Sequence, residues 1–248
     1  MNHSNPTLAK AELKDIYQGY DEFMHTGLVG VFMDINHRLL NLGVKQECNT
    51  NVLEIGGGAK FHLDWLDGSR IESYTVSERR RVLEASSRHR TPNEKVVFHY
   101  VDEDPAYAEL NRKYSRIVAS HVLEHIPDPE AVILKWSSML DDDGVISVAI
   151  PCDPGWAWRT LQLITSSKVK KVHGITARER DLLVSREHIN AAQPLLRIFR
   201  YYFENLKVVW FPALVPVVDF NLVCFIQARR RDLRNAAIEA SAIRPQSP

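Results

Sequence analysis

An apolar strand that runs directly into three glycines is the feature that most constrains this chain. Residues 51–58 read NVLEIGGG, which predicts a strand followed by a tight turn at Gly56, Gly57 and Gly58. Glycine has no Cβ atom, so such a turn lets a ligand approach the backbone closely. Glu54 lies two residues before the turn and could hold a cationic group of that ligand. The pattern therefore predicts a nucleotide-like ligand at the end of the strand.

Apolar runs and helical periods alternate along the chain from this strand onwards. The predicted strands are Val52–Ile55, Ile71–Val76, Val96–Val101, Ser115–Ala119 and Val145–Ile150. The predicted helices are Lys60–Leu66, Ser77–Arg88, Glu130–Leu140 and Asn190–Phe203. Two more predicted strands, Leu206–Phe211 and Asp219–Gln227, are separated by a turn region with two prolines. The sequence therefore predicts an α/β fold, a doubly wound, mostly parallel sheet with an antiparallel C-terminal strand pair.

Three regions are expected along the chain. Helical spacing over residues 8–42 predicts an N-terminal helical lid, and we assign residues 1–45 to this cap. Residues 46–233 are assigned to the α/β domain. Residues 234–248 contain alanines followed by proline and serine, which favours a flexible tail.

The segment over residues 151–188 has no clean period. It follows the fifth predicted strand, at the end where parallel sheets bind ligands, so we expect a substrate lid there. The alternative is a structural excursion that packs Trp156 and Trp158.

Charge and composition restrict the class of partner. The chain has 31 basic and 31 acidic residues, so no strong positive field favours nucleic acid. The apolar run Val208–Val218 is too short to span a bilayer, and we expect no membrane partner. The three cysteines are widely spaced and the N-terminus lacks an apolar signal core, so we expect a cytoplasmic location.

The glycine turn does not match the two best-known phosphate-binding loops. A dinucleotide fingerprint needs glycine at its sixth position, where this chain has Phe61. No lysine followed by serine or threonine stands at P-loop spacing. A nicotinamide-dependent oxidoreductase and a nucleoside triphosphatase are therefore both disfavoured.

Three motifs carry a resemblance to a known family. Residues 54–58 read EIGGG, residues 120–129 read SHVLEHIPDP and residues 143–151 read DGVISVAIP. In this order and spacing they resemble class I S-adenosylmethionine-dependent methyltransferases, over roughly residues 50–151. The resemblance implies S-adenosyl-L-methionine as cofactor and methyl transfer as the reaction.

The resemblance also implies roles for single residues. The glycine turn would approach the cofactor, Glu54 would contact it directly or through water, and Asp102 beside Glu103 would accept from the adenine amino group. The border of the cofactor pocket would include Ser120, His121 and Leu123. An N-terminal segment would fold over the cofactor and bring Tyr17 into contact with it.

The ribose contact departs from the family pattern. An acid at the end of the second strand normally accepts from both ribose hydroxyls, but that position here is Thr75. Either Glu78 reaches the ribose, or Thr75 and Ser77 make weaker contacts, and we favour Glu78.

Three side chains of the SHVLEHIPDP motif stand on one face if the segment is helical. His121, Glu124 and His125 occupy positions i, i+3 and i+4. They suit a metal triad, a general base, or a scaffold that packs the cofactor, and we name no metal ligand. Since imidazole titrates near neutral pH, the catalytic candidates are His121, His125, His173 and His188.

The acceptor is not specified by any motif. We expect methyl transfer to an oxygen or nitrogen of a small-molecule metabolite, and the chain could form a homodimer. The alternative is a non-catalytic S-adenosylmethionine-binding regulatory module.

Overall fold

A single seven-stranded sheet forms the centre of the protein. The computed structural model describes residues 27–58, 60–85, 94–173 and 176–234. The strands are β1 (Asn51–Ile55), β2 (Ser73–Glu78), β3 (Val96–Tyr100), β4 (Tyr114–Ser120), β5 (Leu140–Pro151), β6 (Leu206–Pro212) and β7 (Asn221–Arg229). Their order in the sheet is β3-β2-β1-β4-β5-β7-β6, with β1 to β5 parallel and β7 antiparallel to both of its neighbours. The predicted doubly wound sheet and its antiparallel C-terminal pair are confirmed.

Helices cover both faces of the sheet. They are α1 (Gly27–Leu40), α2 (Arg80–Ala85), α3 (Pro129–Met139), α4 (Trp156–His173), α5 (Ala177–Glu187) and α6 (Ala192–Tyr202). Two apolar cores result, one containing Trp136 of α3 and Phe199 of α6, the other containing Leu40 of α1 and Leu83 of α2. None of the helices in the described ranges is long and apolar enough to cross a membrane.

Local helix signals explain two of these helices. The Asp128 side chain accepts from the Ala131 backbone N–H at 3.0 Å, and Pro129 opens α3. In α6, Leu195, Phe199 and Tyr202 are buried at helical spacing, so one face packs on the sheet.

Sheet pairing overrides the local signal at the end of β2. Ser77 was predicted to begin the helix Ser77–Arg88, but it lies inside the strand, where it pairs with Ile55 of β1 and His99 of β3. β2 therefore ends at Glu78 instead of Val76, and the next helix begins only at Arg80. Pairing on both sides stabilises the strand more than a single cap stabilises a helix end.

Two more predictions are wrong in detail. The predicted helix Lys60–Leu66 is only a single 3-10 turn, His62–Trp65, because the His62 backbone N–H donates to the buried Glu54 carboxylate. Residues 151–188 were expected to lack periodic structure, but they contain α4 and α5. The predicted helix in residues 8–24 and the tail beyond residue 234 lie outside the described residues.

Candidate active site

The candidate site lies at the carboxyl edge of the sheet, between β1 and β4. Strand order reverses there, because β2 and β3 lie on one side of β1 while β4 and β5 lie on the other. Loops leaving the two strands diverge at such a point and create a crevice for ligands. The glycine turn leaves β1 and the SHVLEHIPDP segment leaves β4, so the first two motifs meet at this crevice.

The glycine turn has a backbone that only glycine accommodates without strain. Gly56 has a φ of +70° and its N–H donates to the Ser77 carbonyl at 2.8 Å. A Cβ atom on Gly56 would lie 2.5 Å from Val122 Cγ2, and one on Gly57 would lie 2.7 Å from Val76 Cγ1. The turn therefore packs its backbone directly on β2 and on the segment that follows β4.

Glu54 is buried beneath this turn. One carboxylate oxygen accepts from the His62 N–H at 2.9 Å and the other accepts from the Tyr74 hydroxyl at 2.7 Å. Burial raises the pKa of Glu54 to about 7, although these two donors oppose the shift. Glu54 thus connects β1, β2 and the 3-10 turn, and its contact with the cofactor stays a prediction.

Replacing Glu54 with glutamine should remove a pH-dependent loss of stability. Because the folded-state pKa of about 7 exceeds the ordinary value of 4.5, the folded protein binds more protons than the unfolded chain in this interval. The free energy of unfolding of the wild type should therefore fall by about 3 kcal/mol from this group as the pH rises from about 4.5 to about 7.

Chemical denaturation of both proteins between pH 5 and pH 8 tests this prediction. The charged groups that act on Glu54 from its surroundings are Asp64, Glu78 and Arg116, and all three remain in E54Q. The difference between the two proteins therefore isolates Glu54. A difference that does not change with pH would contradict the shifted pKa.

The end of β2 places an acid at the glycine turn. Glu78 Oε2 lies 3.4 Å from the backbone N–H of Gly58, and Oε1 accepts from the Arg79 N–H at 2.7 Å. The other two ribose candidates are buried in the strand. Thr75 accepts from the Tyr114 hydroxyl at 3.4 Å, and Ser77 Oγ lies 2.9 Å from a ring nitrogen of His99.

His99 belongs to a buried polar chain that the sequence did not reveal. Its other ring nitrogen lies 3.1 Å from Asp104 Oδ2, and its ring stacks on that of Tyr107. Asp104 in turn accepts from the backbone N–H groups of Ala108 and Glu109. These hydrogen bonds order the loop after β3. A single histidine within an apolar strand does not indicate them in the sequence.

The two acids after β3 have different partners. Asp102 accepts from the backbone N–H of Arg80 at 3.0 Å, and this bond lowers its pKa. Glu103 binds the Arg80 guanidinium through two nitrogens, while that guanidinium also stacks on Tyr100. Both acids are exposed at the carboxyl edge, and their predicted contacts with adenine stay predictions.

The end of β4 contains an unpaired hydroxyl and a strained residue. Ser120 Oγ is inaccessible to water and has no hydrogen-bond partner among the residues that the structure describes. His121 has a φ of +56°, which is uncommon for a residue other than glycine. Its Nε2 atom accepts from the Asn36 side chain of α1 at 3.3 Å, whereas Leu123 is buried in the core.

The tertiary structure brings together three of the four predicted catalytic histidines. His121 and His125 flank Glu124, with the shortest distances to the Oε1 atom at 3.6 Å and 3.8 Å. The ring of His188 lies edge-on to that of His125, 5.1 Å away between centroids, and its Nδ1 atom lies 3.0 Å from Asp153 Oδ2. The sequence did not indicate Asp153. The side chain of His173 and all of Tyr17 lie outside the described residues.

Comparison with known proteins agrees with this arrangement. A protein-family model described as a methyltransferase domain matches residues 20–194. No curated protein matches the chain in sequence.

Three solved structures share the fold at low sequence identity. The N-methyltransferase NodS from Bradyrhizobium japonicum, in complex with S-adenosyl-L-homocysteine, aligns with a TM-score of 0.55 and 16% identity over 80% of this chain and 87% of that one. Human N-acetylserotonin methyltransferase, in complex with SAM, aligns with a TM-score of 0.52 and 13% identity over 89% and 56%. The plantazolicin methyltransferase BpumL, in complex with SAH, aligns with a TM-score of 0.52 and 10% identity over 92% and 100%.

The family model covers the glycine turn, the SHVLEHIPDP segment and β5, which are the elements that build the crevice. It extends over more than half of the chain. The chain therefore belongs to the family of methyltransferase domains.

Proposed function

We propose that this methyltransferase transfers a methyl group from S-adenosyl-L-methionine to an oxygen or nitrogen of a small-molecule acceptor. S-adenosyl-L-methionine is the methyl donor that the family implies. The solved structures with the same fold include proteins named as N-methyltransferases and O-methyltransferases. The proposal rests on the glycine turn, which leaves β1 at the crevice beside β4, and on the Glu78 carboxylate at the adjacent end of β2.

The residues at the crevice fit this cofactor. Backbone atoms rather than side chains face the crevice at the end of β1. A Cβ atom at Gly56 or Gly57 would collide with core residues. Ser120 offers a buried hydroxyl without a partner at the end of β4. Glu78 offers a carboxylate beside the turn, and a carboxylate can accept from two hydroxyls at once. A nucleoside with a flexible cationic tail fits such a set of groups.

The cofactor supplies an activated methyl group, so the chain needs mainly to bind, orient and exclude water. We assign Gly56, Gly57 and Gly58 to approach of the backbone to the cofactor, and Glu78 to its ribose. We also assign Ser120 and His121 to the border of the cofactor pocket, at the end of β4. General-base roles for His125, His173 and His188 stay predictions.

The acceptor enters at a partly apolar rim. Exposed apolar side chains flank the carboxyl edge, on α4 and on the connection between β6 and β7; they are Trp156, Leu163, Ile164, Leu214, Val217 and Phe220. Exposed apolar groups in this number favour an acceptor with an apolar portion.

Replacing Glu78 with glutamine should weaken binding of S-adenosylhomocysteine by about 10- to 150-fold, because hydrogen bonds to a charged acceptor are worth about 1.5–3 kcal/mol. Thr75→Val should change the affinity by less than about threefold, because the Thr75 hydroxyl is buried and faces Tyr114. Isothermal titration calorimetry measures both affinities.

Glu47→Gln changes an exposed acid before β1, at the opposite edge of the sheet, and is the control. A greater loss from T75V than from E78Q would assign the ribose to Thr75.

Methyl transfer itself is tested with a labelled donor. The protein is incubated with S-adenosylmethionine carrying a radiolabelled methyl group and a panel of small hydroxylated and amine acceptors. We expect label in a subset of the acceptors and tight binding of the demethylated product. Binding of NAD without binding of either sulfur compound would overturn the proposal. Tight binding without transfer to any acceptor would favour the regulatory module instead.

A further inference from the structure

A cluster of potential metal ligands lies beside the proposed acceptor position. Glu124 and His125 belong to a 3-10 turn, Leu123–His125, after β4, and His188 follows α5. Each of the three offers one ligand atom, and these atoms all lie within 4.8 Å of one another. The local spacing of the motif pointed to His121 as the third member, whereas the tertiary structure supplies His188.

The Glu124 carboxylate has no hydrogen-bond donor among the described residues. Its side chain is 1% exposed, and neither oxygen makes a hydrogen bond. The nearest ring nitrogens, on His121 and His125, stand 3.6 Å and 3.8 Å from Oε1, which is beyond hydrogen-bonding distance. A buried carboxylate without donors is costly, so this position favours a bound cation.

Both histidines of the cluster are oriented through Nδ1, and neither Nε2 atom makes a hydrogen bond within the described part of the chain. His125 Nδ1 lies 2.9 Å from the Glu187 carbonyl, which can only accept, so Nδ1 donates. His188 Nδ1 likewise donates to Asp153 Oδ2 at 3.0 Å. In the neutral ring each Nε2 atom then carries a lone pair. Metal-binding histidines are usually oriented in this way by a carbonyl or carboxylate on the other nitrogen.

Backbone contacts fix the two halves of the cluster relative to one another. The N–H groups of Ile189 and Asn190 both donate to the Glu124 carbonyl, at 2.9 Å and 3.1 Å. The Asn190 side chain donates to the carbonyls of Leu123 and Ile126. The segment that carries His188 is therefore attached directly to the turn that carries the other two residues.

We propose that Glu124, His125 and His188 bind a divalent first-row transition metal ion, with Zn²⁺ as the best fit. Two imidazoles and one carboxylate are a ligand set for Zn²⁺ that leaves a fourth position open. The open position would take an oxygen or nitrogen of the acceptor, whose site the crevice adjoins. Metal binding by these residues does not depend on methyl transfer, so it is tested without cofactor.

The test measures metal binding by the full-length chain after treatment with a chelator. Calorimetric titration with ZnCl₂ is expected to show one equivalent bound, and Co²⁺ should give visible absorption bands of a coordinated ion. H188Q, H125Q and E124Q should each lose at least about 100-fold in affinity, more than the roughly 10- to 100-fold that loss of an outer partner costs. D153N, which removes only the outer partner of His188, should lose about 10- to 100-fold.

His121→Gln is the matched control, because it removes the other imidazole that faces Glu124. Its Zn²⁺ affinity should stay within about threefold of the wild type, a change of about 0.7 kcal/mol. Thermal unfolding with and without Zn²⁺ checks folding, and only proteins with the intact cluster should be stabilised. If a ligand variant does not fold, D153N still tests the proposal, because it changes the outer partner of His188 and none of the three ligands. Absence of stoichiometric binding, or affinity unchanged in H188Q and D153N, would overturn the proposal.

Discussion

Replacing Gly56 with alanine is expected to abolish most cofactor binding. The residue has a φ of +70°, which costs roughly 1–2 kcal/mol for a residue with a Cβ atom. The new Cβ atom would also lie 2.5 Å from Val122 Cγ2. The turn must therefore move away from the segment after β4, and the backbone contacts that we propose with the cofactor would be lost. We expect the affinity for S-adenosylhomocysteine to fall roughly 100-fold, about 2.8 kcal/mol.

Gly68→Ala is the matched control for this change. No heavy atom lies within 4 Å of a Cβ atom at Gly68, and its φ is not in the left-handed region. G68A should bind the cofactor product like the wild type and unfold within about 1 kcal/mol of it. Calorimetric titration gives the affinities, and far-ultraviolet circular dichroism shows that both variants are folded. Equal affinity of G56A and G68A would contradict the role given to the turn.

Replacing Arg116 with methionine is expected to give the largest loss of stability. Arg116 lies in β4, fully buried, and burial lowers its pKa to about 10, so it is charged at neutral pH. Its guanidinium donates to Leu40 O, to Oδ1 of Asn41 and Asn49, and to Ser147 Oγ, and within the described ranges no carboxylate bonds to it. These bonds attach the end of α1 and the turn before β1 to the sheet.

Methionine keeps the aliphatic part of Arg116 but removes every donor. Asn49 Oδ1 and Ser147 Oγ then lose their donor, whereas Leu40 O keeps Gln227 and Asn41 Oδ1 keeps His62. Each buried acceptor left unsatisfied costs about 1–3 kcal/mol. We expect the free energy of unfolding to fall by about 4 kcal/mol. Chemical denaturation measures this loss, and hydrogen exchange should show α1 opening first.

Arg112→Met provides the comparison on a nearby arginine. Arg112 is exposed, donates to Asn51 Oδ1 at 2.9 Å and lies over the ring of Tyr114. Its loss should cost less than about 1 kcal/mol. A similar cost for R112M and R116M would mean that the buried network contributes little.

The elements of the sheet were predictable because each one is encoded locally. All seven strands and the antiparallel pair follow from apolar runs of strand length between turns and helical periods. The end of β2 was not predictable in the same way. Ser77 has a good helix-capping side chain, but pairing with β1 and β3 outweighs that preference. Only after this correction does Glu78 stand at the end of a strand beside the glycine turn.

The roles of buried polar residues were hidden for a similar reason. Within the YSRIVAS strand, Arg116 looks like any charged residue that faces water. Three of its four acceptors lie more than 60 residues away in sequence and are brought to it by the packing of α1 and the turn before β1 on the sheet. Glu54 is comparable, because its motif indicates proximity to a ligand while the structure shows donors on both oxygens.

The sequence by itself determined the family and the α/β sheet and predicted the glycine turn as the place of the cofactor, because these depend on residues close together in the chain. The tertiary structure decided which distant side chains meet. It placed His188 beside Glu124 and His125, and oriented it through Asp153. It also directed His121 towards Asn36 of α1. Spacing within a motif can predict which residues share a face, but a site built from separate loops depends on how the strands and helices pack.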